Sequence, residues 1–359
     1  MKINFNAKDR EYEAHKEELD QLLLQSIIQE PQKCHSIATL EKTLADYVGA
    51  KEAIICNTQY NAFILLFMIL DLKSGDEVIT SPLGSGIAVQ AALFMGAKVV
   101  FVDVNKRDYT LDIEQVEDAI TERTKLLIPV STLGNCADME AINALALQHD
   151  LCVIEDAAES FGSIQNSQKS TQLSKLATTS FFPTMPLHGF GNGAALFIED
   201  AALREKARLL RSQGRKDGYY EAVGIEACMD QTQAAVVNFR VGIFDEEMRA
   251  REKVATAYNN ALKNSTYQLP EFPQGSNFAY YPLYSKEREK TLEKLDAAGI
   301  GYQLPFTTPL HLHKAFTFMQ YHKGDFPYAE TLAENLLLLP LHAYLREEEQ
   351  QKVTEALLA

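Results

Sequence analysis

The stretch LCVIEDAA, residues 151–158, is the centre of the pattern that decides the fold class. It is a short apolar run that is followed by two adjacent carboxylates. Two similar apolar runs precede it, KVVFVDV at 98–104 and TKLLIPVS at 124–131. Helical patterns at 111–120 and 137–150 separate the three runs. Strands that alternate with helices in this way indicate βαβ units around a mostly parallel sheet.

The same alternation extends in both directions from this centre. It predicts a sheet of about seven strands with helices on both faces. The further predicted strands are EAIICN (52–57), SGDEVITS (74–81), SFFPT (180–184) and GAALFIED (193–200), and the further helices cover 61–71, 87–96 and 201–214.

The pattern changes after this sheet. A long helical stretch from Met229 to about Asn264 leads into a segment with one predicted strand, YYPLYS, and three helices. A chain of 359 residues is longer than one hydrophobic core usually organises. We therefore expect a large domain with an N-terminal arm at residues 1–240 and a small C-terminal α/β domain at 241–359.

Composition excludes several classes of function. The net charge of −15 argues against nucleic acid and anionic membranes as partners, since both need a positive surface. The charged N-terminus does not match a signal peptide, and no apolar run approaches the ~20 residues of a membrane span. We therefore expect a cytoplasmic protein. We also expect neither a metal site nor disulfides, because no C-x-x-C pair occurs among Cys34, Cys56, Cys136, Cys152 and Cys228.

Ligands bind outside the carboxyl ends of strands in open α/β sheets, so the residues there are the first candidates. Asp156 ends a very apolar strand, and a buried carboxylate at that position needs a partner. The residues alone leave structural and functional roles equally open. Glu155 is not its catalytic partner, because neighbours on a strand face opposite sides.

At these motifs the chain resembles the DegT/StrS family of nucleotide-sugar aminotransferases, which are pyridoxal-phosphate (PLP) enzymes of fold type I. The resemblance implies a large, mostly parallel seven-stranded sheet flanked by helices, a small C-terminal α/β domain, and a homodimer whose clefts use both subunits. It is carried by SGDEVI (74–79), GAKVVFVDV (96–104), LLIPVSTLGNCADM (126–139), VIEDAAES (153–160), SFFPTMPLHGFGNG (180–193), QGR (213–215), MDQTQAA (229–235), PLHLHKAF (309–316), GDFP (324–327) and LPLH (339–342).

The resemblance assigns roles to individual residues. Asp156 would hold the protonated pyridine nitrogen of PLP, and Ser180 would bind its phosphate. The position of the Schiff-base lysine is Met185. A thioether forms no imine and carries no usable proton, so both functions of that lysine are lost.

Other positions depart from the family pattern as well. Gln59-Tyr60 replaces the Gly-Thr of the phosphate site, and no aromatic residue occurs within LGSG (83–86) to stack on the ring. Glu159 replaces the Gln that contacts the ring hydroxyl. Glu226-Ala227-Cys228 replaces an Asn-x-Arg that reaches the partner subunit's phosphate. Joint departures favour natural loss of PLP use over an engineered change at the lysine alone.

Three interpretations follow. In the first, the protein has given up PLP catalysis and binds a nucleotide sugar, or pairs with an active homologue, in surface-polysaccharide synthesis. In the second, it still uses PLP or pyridoxamine phosphate, either as a dehydratase-like enzyme with His188 or Glu159 as the base, or as an engineered lysine mutant of an active aminotransferase. In the third, Asp156, Glu159 and His188 act on a sugar without PLP.

Overall fold

Seven strands form one large sheet in the computed structural model, which describes residues 2–28 and 36–359. These strands are β1 (Ala53–Cys56), β2 (Glu77–Thr80), β3 (Lys98–Phe101), β4 (Thr124–Ile128), β5 (Cys152–Asp156), β8 (Leu176–Ser180) and β9 (Ala194–Ile198). Their order in the sheet is β1-β9-β8-β5-β4-β2-β3, in which β9 runs antiparallel to both of its neighbours and the remaining pairs are parallel. The predicted fold class is confirmed.

Helices cover the sheet on both faces, and a smaller antiparallel pair of strands lies outside it. The helices are α1 (Lys8–Ala14), α2 (Lys16–Ile28), α3 (Ser36–Val48), α4 (Gln59–Ile69), α5 (Ile87–Phe94), α6 (Ile113–Ala119), α7 (Met139–Gln148), α8 (Ala201–Arg211), α9 (Gln231–Leu262), α10 (Arg288–Ala298), α11 (Pro327–Asn335) and α12 (Glu347–Leu358). The remaining strands are the short hairpins β6 (Ile164–Gln165) with β7 (Gln168–Lys169) and β10 (Arg215–Lys216) with β11 (Tyr219–Tyr220), and the pair β12 (Tyr281–Tyr284) with β13 (Leu336–Leu339).

Two predicted elements differ from the structure. The strand predicted at 180–184 is wrong, because the strand β8 ends at Ser180 and the chain then leaves the sheet. The hydroxyl of Ser180 accepts a hydrogen bond from the Phe182 amide at 3.2 Å, and Pro183 has no amide hydrogen to donate to a neighbouring strand. A helix is predicted over YAETLAENLL (328–337), but its last two residues, Leu336 and Leu337, belong to β13 and pair with β12.

The long helix α9 belongs to two apolar cores. Val237 and Phe244, near its start, pack with α3 and the sheet. Val254 and Tyr258, near its end, pack with β12, β13 and α12. The predicted division at residue 240 therefore falls inside one continuous helix, and the division into two domains stays a prediction.

Asp103 joins the large sheet to the C-terminal part of the chain. Its carboxylate is buried after β3 and accepts hydrogen bonds from the Tyr328 and Ala329 amides at 2.9 Å. These amides belong to the first turn of α11, where a negative charge is favourable. This contact holds α11 and the segment before it against the sheet.

Within residues 2–28 and 36–359, no helix is long and apolar enough to cross a bilayer. The same residues contain no group of three or more His, Cys, Asp or Glu side chains that could hold a metal ion. Four cysteines are free thiols, Cys56, Cys136, Cys152 and Cys228, and Cys34 lies outside the described residues. His311, in the PLHLHKAF motif, is buried and lies 3.1 Å from the Glu330 carboxylate.

Candidate functional site

Asp156 lies at the carboxyl end of β5, in the middle of the sheet, and is 6% exposed. The helix α4 begins at Gln59, because the Thr58 side chain caps it by accepting a hydrogen bond from the Asn61 amide. This start places Gln59 in the first turn, where its side-chain amide donates to Asp156 Oδ1 at 2.7 Å. Asp156 Oδ1 also accepts from the Ala158 amide at 3.2 Å.

The buried carboxyl group of Asp156 influences the half-buried carboxyl group of Glu159 at this site. Burial raises the pKa of Asp156 to about 6, although the hydrogen bonds from the Ala158 amide and Gln59 lower it. Burial also raises the pKa of Glu159 to about 7, and the negative charge of Asp156 raises it further. A hydrogen bond from the Leu133 amide to Glu159 Oε2, 2.7 Å long, acts in the opposite direction. Both groups can therefore hold or release a proton near neutral pH.

Glu155 faces the other side of the sheet, as the alternation of a strand requires. Its carboxylate accepts from the Ser170 hydroxyl at 2.8 Å and from the Thr171 amide at 3.0 Å. Both partners are buried. Glu155 therefore has different hydrogen-bond partners from Asp156, and its exclusion as the catalytic partner stays a prediction.

Met185 and His188 lie in the loop that follows β8. The Met185 amide donates to the Phe182 carbonyl at 2.8 Å, which closes a turn. Both side chains line a cavity beside α9, and His188 Nε2 is 3.5 Å from Glu11 Oε2 in the N-terminal helix α1. Among the described residues, no hydrogen bond or ion pair joins His188 to Asp156 or Glu159. The structure thus brings Gln59, Asp156 and Glu159 together and places His188 in a different environment.

The two other predicted phosphate-site residues have local structural contacts. Ser180 is 6% exposed, and its hydroxyl accepts from the Phe182 amide. Tyr60 packs against the large apolar core. The loop at LGSG (83–86) contains no aromatic ring, and the side chain of Leu310 lies so close to Gly86 that a Cβ there would be 3.1 Å from Leu310 Cδ2.

Comparison with known proteins places this arrangement in a family. The sequence pattern of the DegT/DnrJ/EryC1/StrS aminotransferase family matches residues 12–358. The chain belongs to this family. A Pseudomonas aeruginosa protein named UDP-2-acetamido-2-deoxy-3-oxo-D-glucuronate aminotransferase is 38% identical over 312 residues, which is 86% of each chain. A UDP-N-acetyl-3-dehydro-alpha-D-glucosamine 3-aminotransferase from Acidithiobacillus ferrooxidans is 34% identical and covers 88% of this chain and 85% of its own.

Solved structures show the same fold. The chain superposes on S. venezuelae DesV, solved in complex with a ketimine intermediate, with a TM-score of 0.93 and 28% identity over 99% of this chain and 97% of that one. A DegT DnrJ EryC1 StrS aminotransferase from Brucella abortus gives a TM-score of 0.92 and 30% identity over 99% and 98%. The chain therefore has the fold of these family structures over nearly its full length.

The residues present do not fit PLP as the family resemblance would place it. Gln59 already donates to the Asp156 oxygen Oδ1, and Asp156 is the carboxylate expected to hold the ring nitrogen. Met185 offers no amine for an imine. Gln59 carries a side chain where the family's glycine allows a close backbone approach to phosphate, and the bulky Tyr60 replaces its threonine. No chemical step is therefore assigned to this cofactor.

Sequence reasoning missed Arg251, which also lines the cavity beside Met185. A signal was present, because Arg251 occurs at helical spacing between the apolar residues Phe244, Val254 and Tyr258 of α9. All four residues are buried. A charged residue on the apolar stripe of a helix needs a partner or a ligand.

The Gln59 hydrogen bond is testable by stability measurements at two pH values. The pKa of Asp156 in the folded state, about 6, lies above the ~3.9 of an unfolded aspartate. The contribution of Asp156 to the free energy of unfolding is therefore complete below pH ~4 and is lost as the pH rises through 6. At pH 8 the ionised carboxylate depends on Gln59. We expect Gln59→Leu to lower the free energy of unfolding by about 1.5–3 kcal/mol there, and by less at pH 5.

Urea denaturation followed by circular dichroism would measure both values. Gln90→Leu is the control, because Gln90 is exposed on the neighbouring helix α5. Its effect should be small at both pH values. A loss for Gln59→Leu that is the same at pH 5 and pH 8 would show that the amide does not act through the Asp156 charge.

Proposed function

We propose that this protein is a member of the nucleotide-sugar aminotransferase family that has lost PLP-dependent transamination and keeps a nucleotide-sugar site. The hydrogen bond from Gln59 to Asp156 carries the proposal. It supplies, from the chain itself, one hydrogen-bond partner to the buried carboxylate that the resemblance expects to hold the ring nitrogen of a cofactor. Met185 occupies the position of the family's lysine, and its thioether cannot form an imine.

The ligand class proposed is a UDP-linked N-acetyl sugar. Two relatives carry names that specify UDP-linked sugars with a nitrogen substituent, and the chain covers more than four-fifths of each. The proposed setting is a cytoplasmic pathway of surface-polysaccharide synthesis. There the protein would bind the sugar itself or assist an active homologue that acts on it.

A second candidate is acid–base chemistry on the sugar without PLP. The pKa values of about 6 for Asp156 and about 7 for Glu159 favour it, since such groups exchange protons readily near neutral pH. The dehydratase-like interpretation has less support. Its base would be Glu159, which is engaged by the Leu133 amide, or His188, which faces Glu11.

The first test is reversal at the lysine position. The purified protein should show no PLP absorbance band, and Met185→Lys alone should neither bind PLP tightly nor convert it with glutamate. Each missing charge-assisted phosphate contact is worth about 1.5–3 kcal/mol, so the loss of two weakens binding by roughly 10²–10⁴-fold.

The matched variant combines Met185→Lys with Gln59→Gly, Tyr60→Thr and Glu159→Gln. It should be the minimum that takes up the cofactor, as followed by visible absorbance and borohydride trapping. Turnover by the single Met185→Lys protein, or stoichiometric tight PLP in the unmodified protein, would refute the loss of PLP use.

The second test is binding of nucleotide sugars in the absence of PLP. Calorimetric titration with UDP-N-acetylglucosamine and UDP-glucuronate should give saturable binding, and UMP should bind more weakly because it lacks the sugar. Chromatography of the mixture distinguishes the candidates, since a binding protein returns the sugar unchanged and an acid–base catalyst does not. If no nucleotide sugar binds at millimolar concentration, the retained nucleotide-sugar site is contradicted, and only assistance to a homologue is left as a role.

We also propose that two copies form a homodimer. The hairpin of β10 and β11 exposes Tyr219, Tyr220 and, just beyond it, Val223 by 78%, 71% and 89%. Three neighbouring apolar side chains on one projection are typical of an interface, and obligate dimers bury more than ~2,000 Å² in total.

Sedimentation velocity at micromolar concentration should show a dimer. Replacing Tyr219, Tyr220 and Val223 with Ser should shift the protein toward monomer, because the apolar contact area is lost. Phe94→Ser is the control, since Phe94 is 76% exposed as a single apolar side chain at the end of α5. A protein that is monomeric before any substitution would contradict the dimer.

A further inference from the structure

Arg251 is a buried guanidinium that forms no ion pair with a carboxylate among the described residues, and it lies 5.4 Å from the centre of the Phe244 ring. It lies on α9, is 6% exposed, and donates from Nε to the Glu247 carbonyl at 3.3 Å. Its Nη2 is buried and has no hydrogen-bond partner among the residues that the structure describes. Burial lowers the pKa of this guanidinium. An unpaired buried charge is unfavourable, so the position calls for an anion.

Arg251 lines a cavity of about 90 Å³. One water needs about 10–15 Å³ on this measure, so the cavity has room for a small organic anion. Sites for ligands the size of a nucleotide sugar are larger, about 300–1,000 Å³. The cavity lies between the N-terminal helix, α9 and the C-terminal part of the chain, and its lining includes Ala7, Met185, Tyr280, Leu341 and Tyr344.

The two acidic residues of this cavity already have other partners. Glu11 forms an ion pair with Arg240. Glu247 Oε1 accepts from the Tyr344 hydroxyl at 2.9 Å, and neither acid forms an ion pair with Arg251. Their charges disfavour a dianion such as phosphate. A monoanionic carboxylate suits the forked geometry of a guanidinium better.

His342 supplies a second polar group on the cavity wall. Burial, together with the positive charge of Arg10, lowers its pKa to about 4, so the imidazole is neutral near pH 7. Its Nδ1 is buried and has no hydrogen-bond partner within the described residues. A neutral imidazole can donate one N–H, which matches the second oxygen of a carboxylate.

We propose that Arg251 and His342 form a binding site for a single carboxylate group in the cavity beside α9, whose described lining residues do not include Asp156. The carboxylate can come from a free small acid or from an acidic sugar ligand. Only the second source rests on the proposed function. The site itself rests on the unpaired guanidinium and the cavity beside it.

Calorimetric titration of the full chain with sodium acetate, against sodium chloride at equal ionic strength, tests the site. We expect saturable binding of one acetate per chain and no saturable heat from chloride. Arg251→Met should weaken acetate binding at least tenfold. Arg249→Met should leave it unchanged, because Arg249 is an exposed residue of the same helix.

Thermal unfolding separates a binding role from a structural one. Without acetate, Arg251→Met should unfold no earlier than the unmodified protein, since it removes an unpaired charge. If that variant does not fold, Arg251→Lys replaces it in the titration, and it should bind acetate several-fold more weakly because it keeps the charge without the fork. Acetate binding that is equal in these variants and the unmodified protein, or that chloride reproduces, would overturn the site.

Displacement of acetate identifies the source of the carboxylate. UDP-glucuronate that displaces acetate while UDP-glucose does not would assign the carboxylate to the sugar. Failure of both to displace it would assign the site to a free acid, even if neither nucleotide sugar binds elsewhere. Displacement by both would place phosphate rather than carboxylate at Arg251 and would contradict the proposal.

Discussion

The burial of the Asp156 carboxylate at the end of a central strand is the constraint on which the site depends. A carboxylate in that position must be partnered or protonated, because an isolated charge is costly in a low-dielectric interior. Here the helix α4 begins with a glutamine whose amide reaches Oδ1, and the Ala158 amide reaches the same atom. The negative charge of Asp156 in turn helps to raise the pKa of the neighbouring Glu159. The protonation of both acids follows from this one arrangement.

The family scaffold tolerates such changes because its stability is located elsewhere. The sheet, α4 and α5 form a large core of buried apolar side chains. The helix α9 joins that sheet to the C-terminal strands and helices through two cores. Substitutions at the strand ends leave these contacts intact. A TM-score of 0.93 to a family structure at 28% identity is consistent with a conserved frame that carries different side chains.

Two polar environments differ in their residues. Asp156 and Gln59 form one through their hydrogen bond, and the cavity lined by His188 and Arg251 is the other. Met185 lines that cavity with an uncharged, flexible side chain. An ammonium group at the same position would lie near the buried guanidinium, and like charges would repel. A methionine at position 185 is therefore compatible with an Arg251 that forms no ion pair among the described residues.

The sequence by itself determined the alternation of strands and helices, the number of strands in the sheet, the family and the departures at Met185, Gln59 and Glu159. These follow from periodicity and from motif order, which are local properties of the chain. Only the tertiary structure decided that the strand β8 ends at Ser180, that Gln59 is the partner of Asp156, and that His188 faces Glu11. Each of these depends on contacts between residues far apart in the chain, and local pattern contains no information about which distant side chain will be within hydrogen-bonding distance.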